Sequence, residues 1–258
     1  MTTVNGLAFF DLDGTLLDGN SQITPEISAA MKALQDNKII PVIATGRTNL
    51  EVTDFAEKTG INSFITMNGQ HVLFEGEIVY SQIIPKDVCR RLHHKTQELN
   101  HEIGYYTPES IRVSAHTPMV KKAYDFINSP LPRLDSTFYE ENNVNMFLAF
   151  CEEDDTLYHE AFPELTFFRN GPHAIDIISK GGSKGNGVRE LVKALNLEGV
   201  PTYGFGDGTN DIDLLKACDN RIAMGNAIPA LKELATYITA KNTEGGIVQA
   251  LRHFNLID

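Results

Sequence analysis

Cysteine is scarce in this chain. Its 258 residues include three, Cys89, Cys151 and Cys218. They are scattered, odd in number and form no CxxC pair, which argues against a disulfide framework or structural zinc and makes a reducing cytoplasm the expected location. Long apolar runs are missing as well. Stretches such as Ile39 to Ala44 extend for a handful of residues, far short of the roughly 20 that span a bilayer. The first strand pattern begins almost at the N-terminus, without the basic and apolar regions of a secretory signal. Basic residues are in the minority: 22 Lys and Arg face 34 Asp and Glu, a formal net charge of -12. That balance excludes a general attraction to nucleic acid or to an anionic membrane, so any bound anion must be held by a local site. Repeats and low-complexity tracts are absent too. What is present, 42% hydrophobic and 22% charged residues, is the composition of a folded globular protein.

The apolar pattern alternates strand and helix. Gly6 to Leu12 reads as a buried strand ending in acids. Thr24-Pro25 starts a helix with Ile27, Ala30, Met31 and Leu34 at helical spacing. Ile39 to Ala44, Thr48 to Lys58 and Ser63 to Met67 continue as strand, helix and strand, up to the Asn68-Gly69 turn. Such alternation predicts right-handed crossovers and a doubly wound α/β parallel sheet. The rhythm then changes. Helical patterns near Pro85 to Leu99, Pro118 to Asn128 and Asp154 to Ala161 mix with strand patterns near Glu102 to Tyr106, Ile111 to Ala115, Val144 to Phe150, Leu165 to Arg169 and Ala174 to Ile178. This predicts an α+β insert with an antiparallel sheet. The first rhythm resumes after Lys180, with a helix over Ser183 to Leu195, strands at Val200 to Phe205 and Arg221 to Met224, a helix over Thr209 to Ala217 and two further helices. The insert therefore interrupts one sheet domain.

Short polar segments carry the chemistry: Asp11-Leu12-Asp13-Gly14-Thr15, Thr45-Gly46-Arg47, Lys184 within GGSKGNG, and Asp207-Gly208-Thr209-Asn210-Asp211. The first, second and last each follow a predicted strand, and the carboxyl ends of strands are where open α/β sheets bind ligands. Carboxylates gathered there repel one another, and a hard divalent cation with oxygen ligands, Mg2+ above all, is the natural compensation. Magnesium prefers one or two carboxylates plus a phosphate oxygen, which points to a small phosphorylated metabolite as partner. Thr45, Lys184, Asn210 and backbone amides around Gly14 and Gly46 would hold its oxygens.

This set resembles the haloacid dehalogenase (HAD) superfamily and, within it, the Cof-type hydrolases with a type IIB (C2) cap. FFDLDGTLL, VIATGR, the MNGQ turn, SKGNGV, GDGTND and NTEGGIVQAL occur in the family's order along the whole chain. The resemblance implies a discontinuous Rossmann-like core over residues 1-82 and 180-258 and an α+β cap over 83-179. It implies Asp11 as the nucleophile that forms an aspartyl-phosphate and Asp13 as the general acid and base. Metal ligands would be Asp11, the backbone carbonyl of Asp13 and Asp207, with Asp211 a ligand or an outer partner. Phosphate-binding positions would be Leu12, Thr45, Gly46, Lys184 and Asn210. The expected activity is Mg2+-dependent hydrolysis of small phosphorylated metabolites, sugar phosphates or similar, by a cytoplasmic monomer or homodimer. A phosphomutase or dedicated sugar-phosphate phosphatase of the same superfamily is the alternative; a non-catalytic phosphometabolite sensor is a further one, which would not need both Asp11 and Asp13. Arg112, Lys121, Asn145 and His173 are candidate cap contacts to the leaving group.

Competing readings fail or stay local. An EF-hand needs its glycine at loop position 6 and a glutamate at 12, where this loop has Gly14 at 4 and Gln22 at 12. GGSKGNG is not a Walker A loop, and GFGDGT lacks the third glycine of GxGxxG. Arg47 is expected to start a helix or form an ion pair rather than touch substrate. Asp211 has a second reading as a helix N-terminal acid. His93-His94, beside Arg90, Arg91 and Lys95, is expected on a solvated helix face, and Cys218 in the core.

Overall fold

The computed structural model describes residues 4-153 and 155-258. The chain divides into two compact units: Met1–Tyr80 with Ser183–Asp258, and Ser81–Gly182 between them. In chain order, the first stretch comprises β1 (Gly6–Phe10), α1 (Pro25–Asp36), β2 (Ile39–Ala44), α2 (Asn49–Thr59), β3 (Phe64–Thr66), β4 (His71–Phe74) and β5 (Glu77–Ser81). The insert contains α3 (Lys86–Glu98), β6 (Glu102–Thr107), β7 (Ser110–Val113), α4 (Pro118–Phe126), β8 (Arg133–Leu134), α5 (Phe138–Glu141), β9 (Met146–Phe150), α6 (Asp155–Ala161), β10 (Leu165–Gly171) and β11 (Ala174–Ser179). The chain closes with α7 (Lys184–Ala194), β12 (Thr202–Gly206), α8 (Ile212–Lys216), β13 (Asn220–Ala223), α9 (Pro229–Leu234), β14 (Tyr237–Ile238) and α10 (Gly246–His253).

The first unit is a Rossmann-like α/β core. Its sheet runs β14-β13-β12-β1-β2-β3-β4-β5, parallel from β14 to β3 and antiparallel at β4. β1 is central, which is why GLAFF is apolar at every position and wholly buried. Phe10 stacks on Phe205 of neighbouring β12, ring centroids 4.6 Å apart. α1 forms as its cap predicts: the Thr24 hydroxyl accepts the Ile27 amide at 3.3 Å, Pro25 occupies the first turn, and Ile27, Ala30, Met31 and Leu34 face inward. The Thr48 amide donates to Glu51 at 2.8 Å, closing the capping box that starts α2.

The second unit has its own sheet, in the order β10-β11-β9-β6-β7-β8. Its pairs are antiparallel except β7 with β8. A separate core gathers Leu92, Tyr105, Phe147, Tyr158 and Ile177. Asn145 donates to the Gln82 carbonyl at 2.8 Å and the Ser81 hydroxyl at 3.2 Å, fixing the chain where the insert begins. Arg112 lies over the Phe138 ring, and His173 pairs with Glu152 at 3.0 Å. No helix among the described residues is long and apolar enough to cross a membrane.

The structure departs from sequence expectation in several places. The strand expected over Gly6 to Leu12 stops at Phe10. Leu12–Leu16 instead winds into a wide π-type turn, broken at Asp13 and at Gly14 with φ +83°, a conformation only glycine adopts freely. His93 is not on a solvated face. It lies with Val88, Cys89, Leu92 and Thr96 on the buried stripe of α3 and bonds the Tyr105 hydroxyl at 2.8 Å. That hydroxyl donates onward to the Ser136 carbonyl, so the buried imidazole is satisfied. Cys218, by contrast, is in the core as expected. The helix expected from Asp154 is described from Asp155, and Asp154 itself lies outside the described residues. β8, β14 and α5 were not anticipated, because two-residue strands and a single helical turn carry no periodicity.

The Phe10–Phe205 stack ties the two central strands below the polar segments. Phe10→Ala should therefore lower the stability of this unit by about 3–5 kcal/mol, as expected for a buried aromatic. Urea unfolding followed by far-ultraviolet circular dichroism measures it, and a loss below about 1 kcal/mol would show that the stack is dispensable.

Candidate active site

The carboxyl ends of β1 and β12 deliver the acids. Asp11 follows directly on β1, and its amide donates to the Phe205 carbonyl at 3.1 Å, so its backbone is fixed by the sheet ladder. Asp207 follows β12 in the same way. Lys184 is the first residue of α7, whose N-cap Ser183 accepts the Asn186 amide at 3.1 Å. Gly185 lets that helix start so deep: a Cβ there would lie 2.1 Å from the Asp213 carbonyl of α8. The close approach carries the Lys184 side chain entirely out of solvent, 2.5 Å from Asp11 Oδ1 and 2.7 Å from Asp211 Oδ1.

Asp211 is heavily engaged. Besides Lys184 on Oδ1, its Oδ2 accepts the amides of Asp207 and Gly208, both at 2.9 Å. Three donors on a carboxylate with about four acceptor sites leave room for at most about one more. Asp207 is held by the Thr15 hydroxyl on Oδ1 at 3.1 Å and by Asn226 Nδ2 on Oδ2 at 3.3 Å. Gly14 is required here as well as for its backbone angle, because a Cβ would sit 2.4 Å from Asp207 Oδ2.

The charges do not balance within the protein. Burial, then the neighbouring Asp211, hold the Asp11 carboxyl well above the usual carboxylate range, against the opposing pull of Lys184. Burial and Asp211 also push Asp207 up to about 6. Burial works against the Lys184 ammonium, but Asp11 and Asp211 outweigh it and raise its pKa. One ammonium is thus shared between two carboxylates while a third waits beside them. One oxygen from each of Asp11, Asp207 and Asp211 lies within 4.8 Å of the others. A hard, oxygen-seeking divalent cation fits that donor set.

The other residues singled out in the sequence lie nearby but are engaged differently. Asp13 does not point with Asp11, since the strand has ended before it. Its carboxylate is exposed and takes a bidentate pair from Arg47, Nε to Oδ2 at 2.8 Å and Nη2 to Oδ1 at 2.6 Å. Arg47 is the ion-pairing residue the sequence suggested, and its guanidinium also lies over the Phe55 ring. Thr45 is buried at the end of β2, where its hydroxyl accepts the Arg47 amide at 3.1 Å. Gly46 is half-buried between them. Leu12 is buried within the π-type turn. Asn210 donates to Asn68 Oδ1 at 2.9 Å, and Asn68, in left-handed conformation, donates its own amide to the Thr45 carbonyl. Asn226, which bonds Asp207, lies in none of the motifs read from the sequence, and Thr15 and Asn68 lie inside such motifs without being given a role there. Asn68-Gly69 was legible only as a turn, and no local pattern ties Asn226 to Asp207.

A family model for haloacid dehalogenase-like hydrolases matches residues 8–251. The chain belongs to that family. The Bacillus subtilis (strain 168) protein named "Putative phosphatase YkrA" is 32% identical, over 97% of this chain and 98% of its own. Among solved structures, a hypothetical protein from Geobacillus kaustophilus HTA426 superposes with a TM-score of 0.90 at 31% identity, covering 99% of this chain and 100% of its own. The HAD subclass IIB sugar phosphatase BT4131 gives a TM-score of 0.88 at 28% identity, covering 98% and 100%. With these relatives, the chain is a HAD-type phosphoric monoester hydrolase with a Rossmann-like core and an inserted α+β cap domain.

The raised Asp207 carboxyl makes a stability prediction for the metal-free enzyme. The folded chain holds a proton on Asp207 up to about pH 6, whereas the unfolded chain releases it near the ordinary value of about 4. The stabilisation from this group is complete below about pH 4 and lost as pH rises through the folded value. In chelator, Asp207→Asn should therefore be more stable than wild type at about pH 7, on the order of 1–3 kcal/mol, with no such gain near pH 4. Thermal melts at both pH values measure this, and equal differences at both would refute it.

Proposed function

We propose that the protein is a magnesium-dependent phosphatase of small phosphorylated metabolites, sugar phosphates among them, working through an aspartyl-phosphate on Asp11. The observation that carries this reading is Lys184, buried between Asp11 and Asp211 with Asp207 alongside. Such a site can gather an ester phosphate and its charge, and phosphoryl transfer needs chiefly positioning and electrostatic stabilisation. The sugar phosphatase among the structural neighbours supports the substrate class.

In this reading Lys184 holds one oxygen of Asp11, and the other attacks phosphorus. The phosphorus–ester oxygen bond breaks as the new bond to Asp11 forms, and Asp13, released from Arg47 and protonated, gives its proton to the departing oxygen. Water then attacks the aspartyl-phosphate and surrenders a proton to Asp13. Inorganic phosphate leaves, and Asp11 returns to the carboxylate. Thr45, Gly46, Leu12 and Asn210, which follow β1, β2 and β12, are assigned to the phosphoryl oxygens. Asp11, Asp207 and the Asp13 carbonyl would hold magnesium, which when bound supplies charge neutralisation on the phosphoryl oxygens. Asp211, already taken by Lys184 and two amides, is assigned a supporting place through water.

Two predictions follow from these roles. Asp11→Asn should abolish phosphate release from p-nitrophenyl phosphate. Asp13→Asn should slow release by roughly 10²- to 10⁴-fold, and more for a sugar phosphate, whose leaving oxygen needs its proton more. Near-normal turnover by purified Asp11→Asn would refute the assignment. Separately, magnesium should raise the unfolding free energy by about 2.7 kcal/mol at 100 times its dissociation constant, and calcium should bind while supporting little turnover. Undiminished activity after exhaustive chelation, with metal content verified as negligible, would overturn the metal dependence. A phosphate-release screen over sugar phosphates, nucleotides and cofactor phosphates then separates the substrate classes.

A further inference from the structure

We infer that Asn226 is a positioning residue of this site, orienting Asp207 and, through the Gly14 carbonyl, the turn that carries Asp13 so that they can receive the cation; the inference rests on the metal-dependent reading given above. Asn226 follows β13 in the loop Met224-Gly225-Asn226-Ala227 and belongs to none of the short motifs that marked the site in the sequence. It is exposed, yet both ends of its amide are committed. Nδ2 donates to the Gly14 carbonyl at 2.7 Å and reaches Asp207 Oδ2 at 3.3 Å. Oδ1 accepts the backbone amide of Asn242 at 3.1 Å. An amide with those partners has only one orientation, since a flipped group would set its oxygen against the Gly14 carbonyl and the Asp207 carboxylate.

The consequence falls on Asp207. With Thr15 on Oδ1 and Asn226 on Oδ2, its two oxygens are set by neutral donors from opposite sides. Neutral donors fix the carboxylate's rotation without cancelling its charge, so both oxygens keep acceptor capacity for a metal. The same Nδ2 ties the turn that carries Asp13 to the loop that carries Asp207. Two parts of the proposed metal site are thereby set to one distance from each other. Asn242 adds a parallel tie, its Nδ2 donating to the Leu17 carbonyl at 2.8 Å, but that bond lies beyond the acids. Residues that orient metal-binding groups typically change metal affinity by about 10- to 100-fold when removed.

The test measures magnesium binding to the whole chain by isothermal titration calorimetry, together with thermal melts with and without magnesium. Asn226→Ala should weaken magnesium binding at least about tenfold and shrink the magnesium-induced rise in melting temperature. The melting temperature of the metal-free protein should stay close to wild type, because the lost bonds face solvent. Asn226→Leu, similar in size without the amide, should behave as the alanine variant does. Asn242→Ala keeps the backbone donor to Asn226 and should leave magnesium affinity within a factor of about three. Unchanged affinity in Asn226→Ala, or an equal loss in Asn242→Ala, overturns the inference, the latter because general loosening of the loop would then explain both. Failure of the underlying reading is distinguishable: the wild-type protein would itself bind no magnesium and release no phosphate.

Discussion

The structure of the sheet domain is arranged around one buried ammonium. Taking Lys184 out of water costs several kcal/mol unless its charge is met at close range, and the chain meets it with two carboxylates drawn from distant segments. Asp11 comes from the end of the central strand and Asp211 from the turn before α8, and the lysine comes from the first residue of a helix. The three cannot separate independently. If Lys184 were lost, two buried carboxylates would repel; if either acid were lost, the ammonium would lean on the other. The glycine that brings α7 against α8 and the amides that pin Asp211 are subsidiary to this arrangement.

The same ion pairs leave a residue of negative charge that the protein does not satisfy by itself. Lys184 is divided between two acids, and Asp207 has only neutral donors. This distinguishes the cluster from a purely structural salt-bridge network, where buried charges are paired off. Asp13, by contrast, has left the buried group. It is exposed, and both of its oxygens take the guanidinium of Arg47.

Much of this was legible in the amino-acid order. The buried strand GLAFF, the capped helix at Thr24-Pro25 and the acids following β1 and β12 each announce themselves within a few residues, because apolar periodicity and turn chemistry are local. The family resemblance drew Lys184 into the same set, although a lone lysine in a first helical turn would read as solvated. What escaped is what depends on packing at long range. Asp13 parts from Asp11 because the strand stops at Phe10 and the chain then turns through Asp13 and the left-handed Gly14. His93 carries the same letters as an exposed histidine until Tyr105 is brought beside it. Asn226 and Asn68 meet Asp207 and Asn210 only when loops far apart in sequence are folded together.

The order of the strands has a bearing on how the protein is made. β1 lies between β2, which follows soon after it, and β12, which arrives late: Thr15 and Asp207 are 192 residues apart. At roughly 5–20 residues per second on the ribosome, about 10 to 40 seconds separate the two. Meanwhile the inserted unit, whose strands all pair among themselves, is fully synthesised and free to fold. The interrupted unit waits with one side of its central, wholly buried strand unpaired, an open edge of the kind that invites association with other chains. That edge stays open until β12 emerges, and refolding from denaturant has to make the same long-range closure.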